Sequence, residues 1–244
     1  MVYDQHLIMK FFQKCYAFVS RLLFAVIWLP RRMLRILVHL KKGITQKHHP
    51  VTPSLPMNRV LLWWVELFFL MVDILAIPEI YETVLAFGKW QTRPLTAHEK
   101  KLAYSVFGDS IAYERVRVDE SATVICRSNH IFYVSFFTIN SWGKFNPEIF
   151  IHEMMHVWQF QHFGSVYIPR ALLAQRTEPG YNYGGIKPLL NAVAHDHGFL
   201  PFNFEQQADI VADYFCLREG LVPNWCAPTE SNLLPVFEYF IKKL

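Results

Sequence analysis

Apolar and polar positions change their spacing along this chain, and each change marks an element. In "FFQKCYAFVSRLLFAVIWLPRRMLRILVHLKK" apolar residues recur with a helical period. At 100° per residue Lys10, Lys14 and Arg21 fall within about 40° of one another, while Ile8, Phe11, Phe12, Val19, Leu22, Leu23 and Val26 occupy much of the remaining circumference. The longest uncharged run, Leu22 to Pro30, is too short to span a bilayer, and no small-residue cleavage site follows it. Beyond Pro30 the pattern resumes with Arg31, Arg35 and Lys42 on one stripe. This predicts a pair of helices lying in a membrane interface with snorkelling cations. The competing reading folds the arm back on the body with its basic stripe in water.

A second oily stretch, "VLLWWVELFFLMVDILAIPEI", is broken by Glu66 and Asp73. Seven residues apart, these share a helix face and read as the solvent stripe of an otherwise buried helix, with a membrane span as the alternative. Between the two stretches, "HHPVTPSLPMN" with its three prolines reads as a linker. The expected division is a basic helical arm over residues 1–50, a linker and helical segment over 51–94, and one domain over 95–244.

Within that domain Thr96 and Glu99 stand in capping-box register and Gly108 is a stop, which predicts a helix between them. "IAYERVRVDE" alternates as a strand does, and "ATVICRSNHIFYVSFF" reads as two β-rich runs around a Ser128-Asn129 turn. Asn146 as cap and Pro147 at the first position start a helix that runs to Gly164. "RTEPGYNYGG" is a loop, a helix runs from about Asn203 to Gly220, and one more closes the chain. The expected class is α+β, a small sheet followed by two long helices.

Charge sharpens the division. Residues 1–50 carry nine Lys/Arg against one acid, net +8, which leaves 15 of the 24 basic and 19 of the 20 acidic residues, net −4, for the rest. An anionic membrane surface or an acidic partner is what this predicts for the arm alone. No recognition motif for nucleic acid accompanies the basic residues. Cys15, Cys126, Cys216 and Cys226 form no CxxC pair, which favours a reducing compartment, with a Cys216–Cys226 bridge as the open alternative. The expected location is cytoplasmic, peripheral on the inner face of the membrane, with a secreted effector as the alternative.

The candidate chemistry lies in "NPEIFIHEMMHVWQFQHFGS". His152 and His156, four apart on a helix, can each offer a ring nitrogen to one metal ion, while Glu153 stands about 100° round, within reach of a water beside that ion. Two neutral imidazoles to hold Zn²⁺ and an unligated carboxylate to take a proton account for the HExxH spacing. Satisfied core histidines are the plainer alternative. However, two imidazoles and a carboxylate among Ile149, Phe150, Ile151, Met154, Met155, Val157, Trp158 and Phe160 need partners, since an unpaired buried charge costs several kcal/mol.

Two residues compete as third ligand. His162 has the third-histidine spacing of the metzincin peptidases, but Gln159 stands where that pattern has glycine and no Met follows Met155. A continuing helix leaves His162 about 80° from the direction of His152. Glu205 opens the helix "FNFEQQADIVADYF" and Asp209 follows on the same face. One carboxylate could ligate the metal while the other fixes a histidine tautomer. The alternative is that Glu205 merely favours a helix N-terminus.

At these residues the chain resembles the gluzincin zinc peptidases, in which a glutamate on a later helix, followed by Asp four positions on, completes HExxH. Glu205-Gln-Gln-Ala208-Asp209 is similar to the E-x-x-A-D of the HtpX and CAAX-prenyl peptidases. "HEMMHVWQFQ" resembles the HE-x-x-H-V-x-Q segment of the metallopeptidase core domain found beside bacterial contractile-injection systems and in Vgr-related proteins. The resemblance covers roughly residues 95–220. It implies a zincin-like fold, His152, His156 and Glu205 as zinc ligands, Glu153 as base, and a protein or peptide substrate. The multi-span architecture of the HtpX type is absent.

Peptide hydrolysis also needs a donor for the developing oxyanion. Tyr167, Tyr181, Tyr183, His195 and His197 are the candidates, with Tyr183 favoured by its glycine-flanked loop. The function expected is a zinc-dependent endopeptidase. The alternative is a non-catalytic zinc-binding module associated with a secretion or toxin-delivery system.

Overall fold

The computed structural model describes residues 2–43, 59–88, 92–122, 132–176, 178–226 and 233–244. The proline-rich linker, Cys126 and the Ser128-Asn129 turn lie outside them. Mixed α and β elements, mostly helical, follow in the order α1 (Val2–Lys42), α2 (Arg59–Ile74), α3 (Ile77–Gly88), β1 (Arg93–Pro94), α4 (Ala97–Phe107), β2 (Arg117–Asp119), β3 (Tyr133–Ser135), β4 (Thr138–Asn140), α5 (Pro147–Phe163), α6 (Tyr167–Gln175), α7 (Ile186–Ala194), α8 (Phe204–Arg218) and α9 (Leu234–Ile241).

The sheet is small and mixed. Its order is β1-β2-β4-β3, with β2 parallel to β4 and the other pairs antiparallel. The alternation of residues 111–120 yields a strand only at Arg117–Asp119, preceded by a short turn of 3₁₀ helix at Tyr113–Arg115. A hairpin that the sequence reading lacked joins β3 to β4 through Phe136 and Phe137, with Phe136 at φ 61°.

Thr96 and Glu99 close the capping box of α4: Thr96 Oγ1 accepts from the Glu99 amide at 3.2 Å and Glu99 Oε2 from the Thr96 amide at 2.7 Å. At α5 the cap position is Asn146 as expected, but its side chain makes no cap hydrogen bond. Asn203 and Gln206 form a second capping box at the start of α8. Helices α5 and α8 pack along each other, and Ile151, Met154, Met155 and Val157 on α5 and Ala208, Ile210 and Val211 on α8 are fully buried.

Three expectations for the first 90 residues are corrected. Pro30 does not divide the arm, since α1 is one helix with the proline inside it. Glu66 and Asp73 do not face solvent: both are 2% exposed. The arm's cations do not all face outward either: Arg31, Lys41 and Lys42 are exposed, but Arg21, Arg32 and Arg35 turn inward. Arg32 is buried, donating to the Asp73 carbonyl at 2.6 Å and to the Glu79 carboxylate, and Arg21 lies 3.5 Å from buried Glu82. Arg35 reaches the carbonyls of Gln161 and His162 at 3.0 and 2.8 Å, at the end of α5. The counterions explain the inversion, because helical periodicity puts Glu66 and Asp73 on one face without saying what that face meets. Arg170 on α6 binds Glu66 at 2.8 Å, and Ser165 donates to Asp73 through its amide at 2.9 Å and its hydroxyl at 2.5 Å.

Gly164 makes this junction possible. It ends α5 at φ 77°, and a Cβ there would overlap Asp73 Oδ2 and stand 2.6 Å from Arg35 Nη1. Gly164→Ala is therefore expected to cost about 1–3 kcal/mol from backbone strain alone, with further loss from the collision. The measurement is chemical denaturation, and an unchanged midpoint would show that the junction tolerates a methyl group.

Candidate metal centre

The α5–α8 interface brings together the groups that the sequence singles out. His152 Nε2 lies 3.3 Å and His156 Nε2 3.4 Å from Glu205 Oε2, and the two imidazoles stand nearly perpendicular, 80° apart with centroids at 4.9 Å. Among the described residues these three form the cluster able to hold a metal, with one ligand atom from each lying within 4.8 Å of the others.

The outer hydrogen bonds orient both rings. His152 Nδ1 lies 2.6 Å from Asp209 Oδ1, and because a carboxylate only accepts, Nδ1 carries the proton and Nε2 faces Glu205. Asp209 is itself held by the Trp225 indole, which donates to Oδ2 at 2.5 Å. His156 Nδ1 meets Gln159 Oε1 at 2.8 Å, while Gln159 Nε2 donates to the Phe204 carbonyl at 2.9 Å and to Gln207 Oε1 at 3.1 Å. Two acceptors on one side fix the amide, so its oxygen faces the imidazole and His156 Nε2 also points at Glu205. Gln175 on α6 donates to Glu205 Oε1 at 2.9 Å, which leaves Oε2 to the histidines.

The electrostatics agree with the geometry. Burial alone would depress His152, but the Asp209 and Glu205 carboxylates raise its pKa well above the usual histidine value. Burial would likewise raise Glu205, yet His156 and His152 hold it far below the usual carboxylate range. Without a cation this cluster needs protonated imidazoles to balance its acids.

Glu153 is different. It is 5% exposed, burial raises its pKa, and Oε2 is buried with no hydrogen-bond partner among the described residues.

The remaining candidates lie elsewhere. His162 stacks on Trp158 with centroids at 4.1 Å, and its Nδ1 pairs with the Trp158 carbonyl at 2.9 Å, outside the cluster. Tyr183 is not brought to it either: its hydroxyl is buried, donating to Asp213 at 2.6 Å beside Cys226 Sγ at 3.3 Å. Cys216 and Cys226 are both buried thiols, so no bridge joins them. The Tyr167 ring lies 6.2 Å from that of His156, but its hydroxyl is spent on the Val134 carbonyl of β3. His195 and His197 stack on each other beyond the end of α7. The tyrosine that does reach the site is Tyr181, 38% exposed, its ring 6.0 Å from His152 and its hydroxyl in the field of Glu205, Glu153 and Asp209.

Sequence reasoning missed Gln159 as an orienting group, although it is the Gln of the HE-x-x-H-V-x-Q segment. Its position three residues after His156, on the same helix face, was the available signal. Gln175 and Trp225 come from other segments and have no local signature.

Fold and site together thus define a mostly helical α+β protein with a largely buried His-His-Glu group able to bind a metal. The chain is 34% identical over 148 residues to the type VI secretion system spike protein VgrG2b of Pseudomonas aeruginosa. That alignment takes in 50% of this chain and only 13% of the spike protein. No family profile matches the chain, and no solved structure matches it.

Proposed function

We propose that this chain is a zinc-dependent peptidase domain of the gluzincin kind, with His152, His156 and Glu205 as the metal ligands and Glu153 as general base. The observation that carries the reading is the buried, unpartnered Glu153 oxygen beside the cluster. A structural zinc site is closed by four protein ligands and gives no role to such a carboxylate, whereas a catalytic one has three and an open position.

The donor set fits zinc. Two imidazole nitrogens and a carboxylate oxygen are donors that zinc takes, and Glu205 Oε2 stands 3.3 and 3.4 Å from the two nitrogens. When bound, the metal would supply Lewis acidity, polarising a carbonyl and making water nucleophilic near neutral pH. The protein would do the rest. Glu153 would take the proton of the attacking water as the new C–O bond forms, then deliver it to the amine as the C–N bond breaks. Asp209 and Gln159 would hold the two imidazoles in the tautomers and orientations that keep both Nε2 atoms inward.

Tyr181 replaces Tyr183 as the oxyanion donor. Tyr181→Phe should lower turnover about a hundredfold with metal content unchanged. Tyr183→Phe should instead cost about 1–3 kcal/mol of stability, since Asp213 loses a buried donor, and leave turnover per folded molecule intact. Equal turnover defects in the two variants would contradict this assignment.

The likeness to part of a secretion spike protein favours a second reading, a non-catalytic metal-binding module carried on delivery machinery. The discriminating experiment measures metal content and hydrolysis of an unstructured protein by the full chain. About one equivalent of zinc, with hydrolysis abolished by a chelator and restored by zinc, supports the peptidase. The same metal content without hydrolysis leaves the module.

A further inference from the structure

Helices α2 and α3 are built inside out. All four of their acids, Glu66, Asp73, Glu79 and Glu82, are buried, at 2, 2, 4 and 9% exposure. Every exposed residue from Val60 to Gly88 is apolar, Trp64, Phe68, Ile80 and Val84 among them. The outer side of α1 continues the pattern, because its exposed described residues from Met9 to Leu40 are apolar apart from Tyr16 and Arg31, with Lys41 and Lys42 exposed at the helix end. Its cations Arg21, Arg32 and Arg35 turn inward to the same acids. In water the opposite arrangement is expected, with charges outside and the apolar stripe covered.

We propose that this outer face of α1, α2 and α3 seats the protein in one leaflet of a lipid bilayer, held by buried apolar side chains rather than by attraction to anionic headgroups. Three observations select lipid over a protein partner. A protein interface has a polar rim and regular hydrogen bonds across it. Between Val60 and Gly88 the exposed side chains offer only the Trp64 indole and the Tyr81 hydroxyl, on the two residue types that favour the bilayer–water boundary. The apolar stripe of α1 runs from Phe11 to Leu40, about 45 Å at the helical rise. A continuous lipid phase covers that length without a partner shaped to match. Finally, no single described helix is long and apolar enough to cross a membrane, while α2 and α3 together reach the required apolarity but bend by 63°. Such a pair suits an element that enters one leaflet and turns back.

The test is flotation of the full chain with uncharged phosphatidylcholine vesicles, at low salt and in about 1 M salt, where the Debye length is only about 3 Å. Binding should occur without anionic lipid and persist in high salt. The combined substitution Trp64→Glu, Phe68→Glu and Val84→Glu changes only exposed positions, so the fold and its thermal transition should survive, while vesicle partitioning falls at least about tenfold. Binding that needs anionic lipid or is released by salt would overturn the proposal in favour of the electrostatic arm. A protein that stays off the vesicles as a discrete dimer or larger assembly, dissociated by the same substitutions, would overturn it in favour of a second copy. Partitioning unchanged by the substitutions would overturn it outright.

Discussion

Glu153→Gln is expected to abolish hydrolysis while leaving metal binding and fold intact. General-base assistance contributes about 10²–10⁴-fold, and an amide of the same shape cannot take a proton, so turnover should fall at least about a thousandfold. The metal should remain at its wild-type level, because Glu153 is outside the three-residue cluster. Stability provides an independent check. The wild-type carboxylate is buried with one oxygen unpartnered, and a neutral amide there removes the cost of a desolvated charge. The variant should therefore melt at the same temperature as the parent or higher, the usual signature of a group kept for function at the expense of stability. A variant that loses activity and metal together would make Glu153 part of the metal-holding apparatus. One that keeps its turnover would remove the base from the mechanism.

What could be seen in the chain beforehand follows from how local each interaction is. His152 and His156 sit one turn apart, as do Glu205 and Asp209, so each pair declares a shared face by spacing alone. The structure then lays the two faces together across the α5–α8 contact. Gln159 was visible on the same grounds, one turn from His156, but its role depends on two acceptors from α8 that no local pattern reveals. The choice between Tyr181 and Tyr183 was not legible at all. Two residues apart in one loop, they diverge because Asp213 captures the Tyr183 hydroxyl, and that pairing spans 30 residues.

The first 90 residues show a different limit. Periodicity assigned Glu66 and Asp73 to a common stripe, and the stripe exists. The inference that it meets water assumed that charge lies outside, which fails when counterions wait on α6 and α1. A sequence with nine cations in one segment and four acids in the next contains that pairing in its composition, but not in its spacing. The short strands add a third limit, since two or three residues cannot display the alternation by which a strand is recognised.

The second large effect concerns the metal itself. Glu205→Ala removes the only carboxylate among the three clustered donors and should weaken zinc binding more than about a thousandfold, beyond the 10- to 100-fold loss that follows removal of an outer partner. It also leaves Gln175 Nε2 without its buried acceptor, a defect that would appear as lower stability even without metal. Asp209→Ala and Gln159→Ala each free one imidazole to turn, so both should fall in that milder 10- to 100-fold range. Gln159→Ala should also lower stability by about 1–3 kcal/mol, because the Phe204 carbonyl and Gln207 lose a buried donor. His162→Ala should hardly change zinc affinity, because that ring stacks on Trp158 and bonds its carbonyl. Competition with a chromogenic zinc chelator ranks the four variants, and denaturation of the metal-free proteins separates lost ligands from lost packing. A ranking with His162 worst would reassign the third ligand and leave the histidine pair on α5 in place. Equal losses for Glu205→Ala and Asp209→Ala would instead make the two carboxylates interchangeable, and the orientation of His152 by Asp209 would lose its meaning.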